Sequence, residues 1–279
     1  MTRLFGVIGH PIAHSLSPAM HTAALKALRC DAVYSAFDVP PACLRPILRA
    51  FVLAGVEGLN VTVPLKEAVI PLLSRIDPHA RAIGAVNTIV IRNRRTAGYN
   101  TDGAGFLRAM RELGWRPAPA RALLLGAGGA AKAVAWELAR VRGVHLTIAN
   151  RHPARAKQLA RWLRHRQPRA RVEVVPLHAA DPRAAQLLIN ATTVGMRPND
   201  RPPIDSSRLR RGTLVYDLVY HHETALVRAA RRRGCVAANG VSMLLYQGAE
   251  SLRLWLRRAP PIGAMRQALQ RELHSTRGW

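Results

Sequence analysis

Among 42 cationic residues this chain uses only four lysines, Lys26, Lys66, Lys132 and Lys157, and the rest are arginine. Lys66 stands directly after the β-branched run GLNVTVP (58–64). A lysine at a strand end is ordinarily just solvated. An amine can nevertheless release and regain a proton, which a guanidinium effectively cannot. A carboxylate such as Asp102, in YNTDGAG, would orient that amine and stabilise its charged form. Asn87, in GAVNTI, and Asp102 both fall at strand ends, where ligands of α/β proteins collect. Either could equally serve turn geometry, a routine use of Asn and Asp. Ser15 and Ser17, in GHPIAHSLSPAMH, set two hydroxyls two residues apart, able to address one carboxylate or phosphate. Serines ahead of a helix also act as N-caps, so both readings stand.

A second group of residues suits a dinucleotide. LLLGAGGAAKA places Gly126, Gly128 and Ala131 in GxGxxA spacing between an apolar strand and a helical pattern. Gly126 permits the tight turn, Gly128 lets the backbone approach a pyrophosphate, and Ala131 allows close helix–strand packing. The spacing alone is weak in so alanine-rich a chain; the strand–turn–helix setting strengthens it. An NAD site usually sets an acid on the ribose about twenty residues on. Here the next strand ends in IANRHPARA, with Asn150, Arg151 and Arg155 and no carboxylate. Two guanidiniums can clamp a 2′-phosphate. One arginine is unremarkable in this chain; the missing acid is the stronger sign, and NADP is favoured over NAD.

These residues need strands that end near one another and helices that begin there. Strand-like runs are expected at 4–9, 32–39, 58–64 and 86–92, with helices from about Pro18 to Leu28, around 41–54, and over KEAVIPLLS (66–74). A second series follows: a strand at 121–126, the helix GAAKAVAWELAR, a strand at 145–150, an Arg-rich helix at 153–166, and strands at 172–177, 187–192 and 213–220. The last forty residues read as mostly helical. Strands alternating with helices predict parallel-leaning α/β sheets, in two α/β domains. At 279 residues, 49% of them hydrophobic, the chain can bury such cores.

In this order, GHPIAHSLSPAMH, GLNVTVPLK, GAVNTI, YNTDGAGF, GAGGAA, NRHPARA, INATTVGM, YDLVY and NGVSMLLYQGA closely resemble the shikimate dehydrogenase family. The resemblance implies NADPH-linked, reversible reduction of 3-dehydroshikimate to shikimate, a step of chorismate and aromatic amino-acid biosynthesis. It makes Lys66 and Asp102 the catalytic pair. Ser15, Ser17, Thr62, Asn87, Tyr220 and Gln247 become the substrate-binding set. Gly126, Ala127, Gly128, Gly129 and Ala130 would hold the pyrophosphate; Asn150, Arg151 and Arg155 the 2′-phosphate; Thr192, Leu218 and Gly240 the nicotinamide end. The implied fold joins residues 1–102 and 239–279 into a substrate-binding, catalytic domain and inserts a Rossmann-like NADP domain at 103–238. Three departures stand out. Thr22 replaces the usual Asn, His152 the usual Thr, and YHHETAL alters the loop after Tyr220.

Composition bounds the alternatives. The net charge of +26 could signal binding to nucleic acid. The excess runs through nearly every segment, however, and no nucleic-acid-binding signature appears, so no specific nucleic-acid partner is expected. A polyanion binder on the same scaffold is the alternative from another class; a quinate/shikimate or aminoshikimate dehydrogenase is the enzymatic one. Three widely spaced cysteines and no long apolar run predict a cytoplasmic protein without disulfides or membrane spans. His221 and His222 lack partners at metal-ligand spacing, so no metal is expected. The expected partners are the small-molecule substrate and a second copy of the chain.

Overall fold

Runs of Val, Leu and Ile, punctuated by Gly and Pro, form two six-stranded sheets in the computed structural model, which describes residues 2–275. The chain divides into two units. One takes the chain up to Gly105 and again from Leu244 onward; the other is Phe106–Met243. Both are α/β, as the alternation of patterns predicts.

In the first unit β1 (Arg3–Gly9) lies parallel to both β2 (Ala32–Asp38) and β3 (Val56–Val61), with α1 (Ser17–Ala27) and α2 (Leu44–Leu53) as the crossovers. The sheet order is β2-β1-β3-β5-β6-β4, where β4 is Arg75–Ile76, β5 Thr88–Arg92 and β6 Arg95–Tyr99. The parallel expectation stops at β5, which runs antiparallel to β3 and β6. Asn93 and Arg94 make the β5–β6 return: both have positive φ, 51° and 57°, the geometry of a two-residue hairpin turn that returns the chain at once. A second difference falls in KEAVIPLLS. The expected single helix is a short α3 (Leu65–Ala68) and then a 3-10 turn at Ile70–Leu72. Pro71, lacking an N–H, cannot continue the α pattern. The helix α4 (Pro78–Ile83), capped by Asp77 through the N–H groups of His79 and Ala80, has no counterpart in the sequence reading.

After α5 (Asp102–Glu112), the second unit alternates β7 (Ala120–Leu125), α6 (Gly129–Arg140), β8 (Val144–Asn150), α7 (Pro153–Arg166) and β9 (Arg171–Pro176). It then adds β10 (Leu187–Asn190), β11 (Leu214–Asp217), α8 (Ala225–Arg232) and β12 (Val236–Asn239). All six strands are parallel in the order β12-β11-β10-β7-β8-β9. The order reverses between β7 and β10, the switch point at which such sheets bind dinucleotides. The Arg-rich stretch around 228–233 belongs to α8, whose Leu226, Val227 and Ala230 face the core.

The C-terminal helices α9 (Val241–Leu256) and α10 (Ile262–Ser275) follow, and from Leu244 the chain is back in the first unit. Trp255 locks α9 there. Its indole N–H donates to the Ile89 carbonyl at 2.9 Å, and its ring fills the space over Gly58, where a Cβ would meet Nε1 at 2.3 Å.

Candidate active site

Lys66 and Asp102 meet in the first unit. Lys66 Nζ donates to Asp102 Oδ2 at 2.5 Å, with the side chains only 14% and 6% exposed. A turn made by the Thr62 carbonyl accepting the Leu65 N–H starts α3 and throws Lys66 back towards β5. The Lys66 carbonyl then takes the Val86 N–H at 2.8 Å, one residue before Asn87. Asp102 is held from its other side: Asn87 Nδ2 donates to Oδ1 at 2.8 Å. The amide's orientation is fixed by the Thr101 backbone N–H, which donates to Asn87 Oδ1 at 2.8 Å. Water has little access to this pair, so its mutual attraction is weakly screened.

Gln247, on α9, reaches the same place, its Oε1 lying 3.3 Å from Asn87 Nδ2. Thr62 is half-buried just past β3, its N–H on the Ile8 carbonyl at 2.9 Å. Ser17 is the first residue of α1, and its N–H donates to Ser15 Oγ at 3.3 Å. Tyr220 lies in the second unit, its ring packed on His221 at 4.2 Å between centroids, where burial pushes its phenol pKa up.

The second unit gathers the other set. Gly126 has φ 109°, and a Cβ there would sit 2.7 Å from the Ala191 carbonyl, so β7 and β10 end almost in contact. Gly128 faces open space with no atom within 4 Å of its would-be Cβ. It begins α6 without a side-chain cap, leaving the N–H groups of Gly129 and Ala130 for an anion. Asn150 closes β8, and Arg151 and Arg155 are exposed beside it. That cradle and that cationic rim fit NADP. Thr192, Leu218 and Gly240 converge at the ends of β10, β11 and β12. Thr192 Oγ1 donates to Asn190 Oδ1 at 2.7 Å, the Leu218 N–H to the Asn190 carbonyl at 2.8 Å, and a Cβ on Gly240 would meet the Leu218 carbonyl at 2.2 Å.

Several organising residues escape the sequence reading. Asn190 Nδ2 donates to Asp217 Oδ1 at 2.9 Å, tying INATTVGM to YDLVY. Burial pushes Asp217 above the usual carboxylate range, opposed by hydrogen bonds from Thr224, the Val219 N–H and Asn190. Thr101 and Thr88 flank Asn87, and both are buried. Each sits inside a quoted motif, but a hydroxyl there carries no signal that separates it from strand filler.

His21, on the buried face of α1, adds a pH-sensitive element. Its ring is fully buried and stacks on Tyr34 at 4.4 Å. Burial lowers its pKa to about 3, and among the described residues neither ring nitrogen has a hydrogen-bond partner to offset it. The unfolded chain, with an ordinary value near 6.5, binds the proton more strongly between those limits, so stability falls as pH falls through that window. From neutrality to pH 5, His21 is expected to cost about 2 kcal/mol. Urea unfolding should show that loss in the parent and not in His21→Phe; equal losses would remove His21 as the cause.

Among the described residues no helix is long and apolar enough to cross a membrane, and no group of three His, Cys, Asp or Glu residues could hold a metal ion. Residues 7–89 match the family model of the shikimate dehydrogenase substrate binding domain, 109–193 that of shikimate / quinate 5-dehydrogenase, and 240–270 that of the shikimate 5'-dehydrogenase C-terminal domain. The shikimate dehydrogenase (NADP(+)) of Moorella thermoacetica is 47% identical over 283 residues, covering 99% of this chain and 96% of its own. A shikimate dehydrogenase crystallised with NADP+ superposes at a TM-score of 0.93 with 38% identity, over 98% of this chain and 96% of its own. The Thermus thermophilus enzyme, crystallised with NADP(H) and shikimate, gives 0.88 and 39% over 97% of this chain and 100% of its own. Likeness of that degree from one end of the chain to the other places this protein in the shikimate dehydrogenase family.

Proposed function

We propose that the protein catalyses the reversible, NADP-linked reduction of 3-dehydroshikimate to shikimate. The observation that carries this reading, within such a family, is the buried Lys66–Asp102 pair held by Asn87. When bound, NADP supplies the hydride chemistry, through its nicotinamide, at C3 of the substrate. The chain supplies the proton and the geometry. In reduction, negative charge grows on the C3 oxygen; the Lys66 ammonium stabilises it and delivers the proton. In oxidation Lys66 takes that proton back. Asp102 keeps the amine aimed, and Asn87 keeps Asp102 from turning.

Ser15 and Ser17 hold the substrate carboxylate, while Thr62, Asn87, Tyr220 and Gln247 address the carboxylate or the ring hydroxyls. Residues 126–130 cradle the pyrophosphate at the start of α6. Asn150, Arg151 and Arg155 take the 2′-phosphate, and Thr192, Leu218 and Gly240 border the nicotinamide. The free thiols of Cys30, Cys43 and Cys235 suit a reducing cytoplasm. A homodimer is the working assembly, which sedimentation would test.

The purified protein should form NADPH when given shikimate and NADP, and should turn over quinate or aminoshikimate, or use NAD, more slowly. Faster turnover of quinate or aminoshikimate would reassign the substrate. No turnover with any of them, alongside sequence-selective binding of nucleic acid at physiological salt, would favour the polyanion-binding alternative.

A further inference from the structure

We infer that Ser251, acting through Thr88, is a positioning residue for the Lys66–Asp102 pair. The inference rests on the reading of those two residues as the proton-transfer pair.

Ser251 and Thr88 are fully buried, and Asn60 and Asn87 nearly so. Their polar atoms form one connected path. Asn60 Nδ2 lies 3.3 Å from the Asn87 carbonyl, so the nitrogen of that amide faces the site and its Oδ1 accepts the Tyr34 hydroxyl at 2.7 Å. Asn60 Nδ2 also donates to Ser251 Oγ at 2.9 Å. Ser251 lies 2.7 Å from Thr88 Oγ1, and Thr88 Oγ1 donates to Asn87 Oδ1 at 3.0 Å. With the Asn87 oxygen pinned by Thr88 and by the Thr101 N–H, its nitrogen faces Asp102. When the Ser251 hydrogen is on Thr88 rather than on the Gln247 carbonyl, donors run from Tyr34 towards Asp102, an arrangement in which each bond polarises the next.

The Asn87 amide has two hydrogens and three acceptors in reach: Asp102 Oδ1 at 2.8 Å, Thr101 Oγ1 at 2.9 Å and Gln247 Oε1 at 3.3 Å. A small rotation would pass a hydrogen from Asp102 to Gln247 and loosen the carboxylate that aims Lys66. Thr88 opposes that rotation. Ser251 in turn holds Thr88, because its hydroxyl, already accepting from Asn60, has its own hydrogen for Thr88. The Gln247 carbonyl at 3.0 Å is the competing acceptor for that hydrogen. The other end of the path reaches the substrate-carboxylate serines. A hydrogen bond with Ser17 opposes the burial that raises the Tyr34 phenol well above its ordinary pKa.

A buried polar network can also serve the fold alone, and kinetics separate the two roles. Steady-state rates with shikimate and NADP are measured for Ser251→Ala, Thr88→Val, Thr88→Ser, Lys66→Ala and the double variant Ser251→Ala/Lys66→Ala, each at a temperature where its circular dichroism matches the parent. Ser251→Ala and Thr88→Val should each lower kcat about tenfold, with KM for both substrates within about twofold. Thr88→Ser, which keeps the hydroxyl, should recover most of the loss. In the Lys66→Ala background, Ser251→Ala should cost nothing more, because the group it positions is gone. A parental kcat for Ser251→Ala, or the same tenfold loss without Lys66, would overturn the inference. If instead Lys66→Ala itself keeps the parental rate, the proton-transfer reading is what has failed.

Discussion

Lys66→Ala should turn over shikimate at least about two decades more slowly than the parent, the loss expected when a general acid/base is removed. The change also leaves the Asp102 carboxylate buried with only its neutral donors. Breaking such a pair costs about 3–5 kcal/mol of stability, so the comparison requires a matched circular dichroism spectrum. NADP affinity should survive, since its proposed residues all lie in the second unit. Lys66→Arg sharpens the test. A guanidinium keeps the charge beside Asp102 but cannot cycle the proton at neutral pH, so it should rescue stability and not rate. A parental rate in Lys66→Ala, with NADP binding intact, would end the assignment.

The second large effect concerns the choice between cofactors. In the combined variant Arg151→Ser/Arg155→Ser, kcat/KM for NADP should drop about a hundredfold while that for NAD changes little. On the proposed reading two charge-assisted hydrogen bonds to the 2′-phosphate are lost, and each contributes on the order of tenfold. Asn150 stays, its Nδ2 on the His152 carbonyl at 3.0 Å, so the loop keeps its shape. An unchanged ratio of the two cofactors would show that the exposed guanidiniums are no more than part of the general arginine surplus.

How far the sequence discloses this molecule depends on whether a residue announces its role by type or by company. The starts of α6 and α7 are legible because Gly128 and Pro153 mark them, and apolar positions recur at helical spacing beyond each. The β5–β6 hairpin is hidden because its turn is Asn93-Arg94, without the glycine that usually signals a positive φ. The short α3 is hidden because Val69, Ile70 and Leu72 continue an apolar run across Pro71. At the site, Lys66 stands out as an amine among guanidiniums, and Asp102 as its available carboxylate. What holds them does not stand out. Thr88, Thr101 and Asn60 are common strand and loop residues, and Ser251 lies 163 positions beyond Thr88 in the middle of a helix. Such long-range polar pairing leaves no periodic trace.

The return of α9 to the first unit has a consequence for how this protein comes into being. Chains grow from the N-terminus, and domains generally fold as units as they emerge. Lys66 and Asp102 leave the ribosome early, yet Ser251 and Trp255 follow only after the whole of the second unit. Until then the sheet around Gly58 lacks the indole that covers it, and Thr88 lacks its partner hydroxyl. The unit begun first is thus finished last. A nascent chain interrupted before α9 would hold Lys66 and Asp102, the proposed proton-transfer pair, without the Ser251 hydroxyl beside Thr88 or the Trp255 indole over Gly58, so on that proposal translation itself delays the onset of full catalysis.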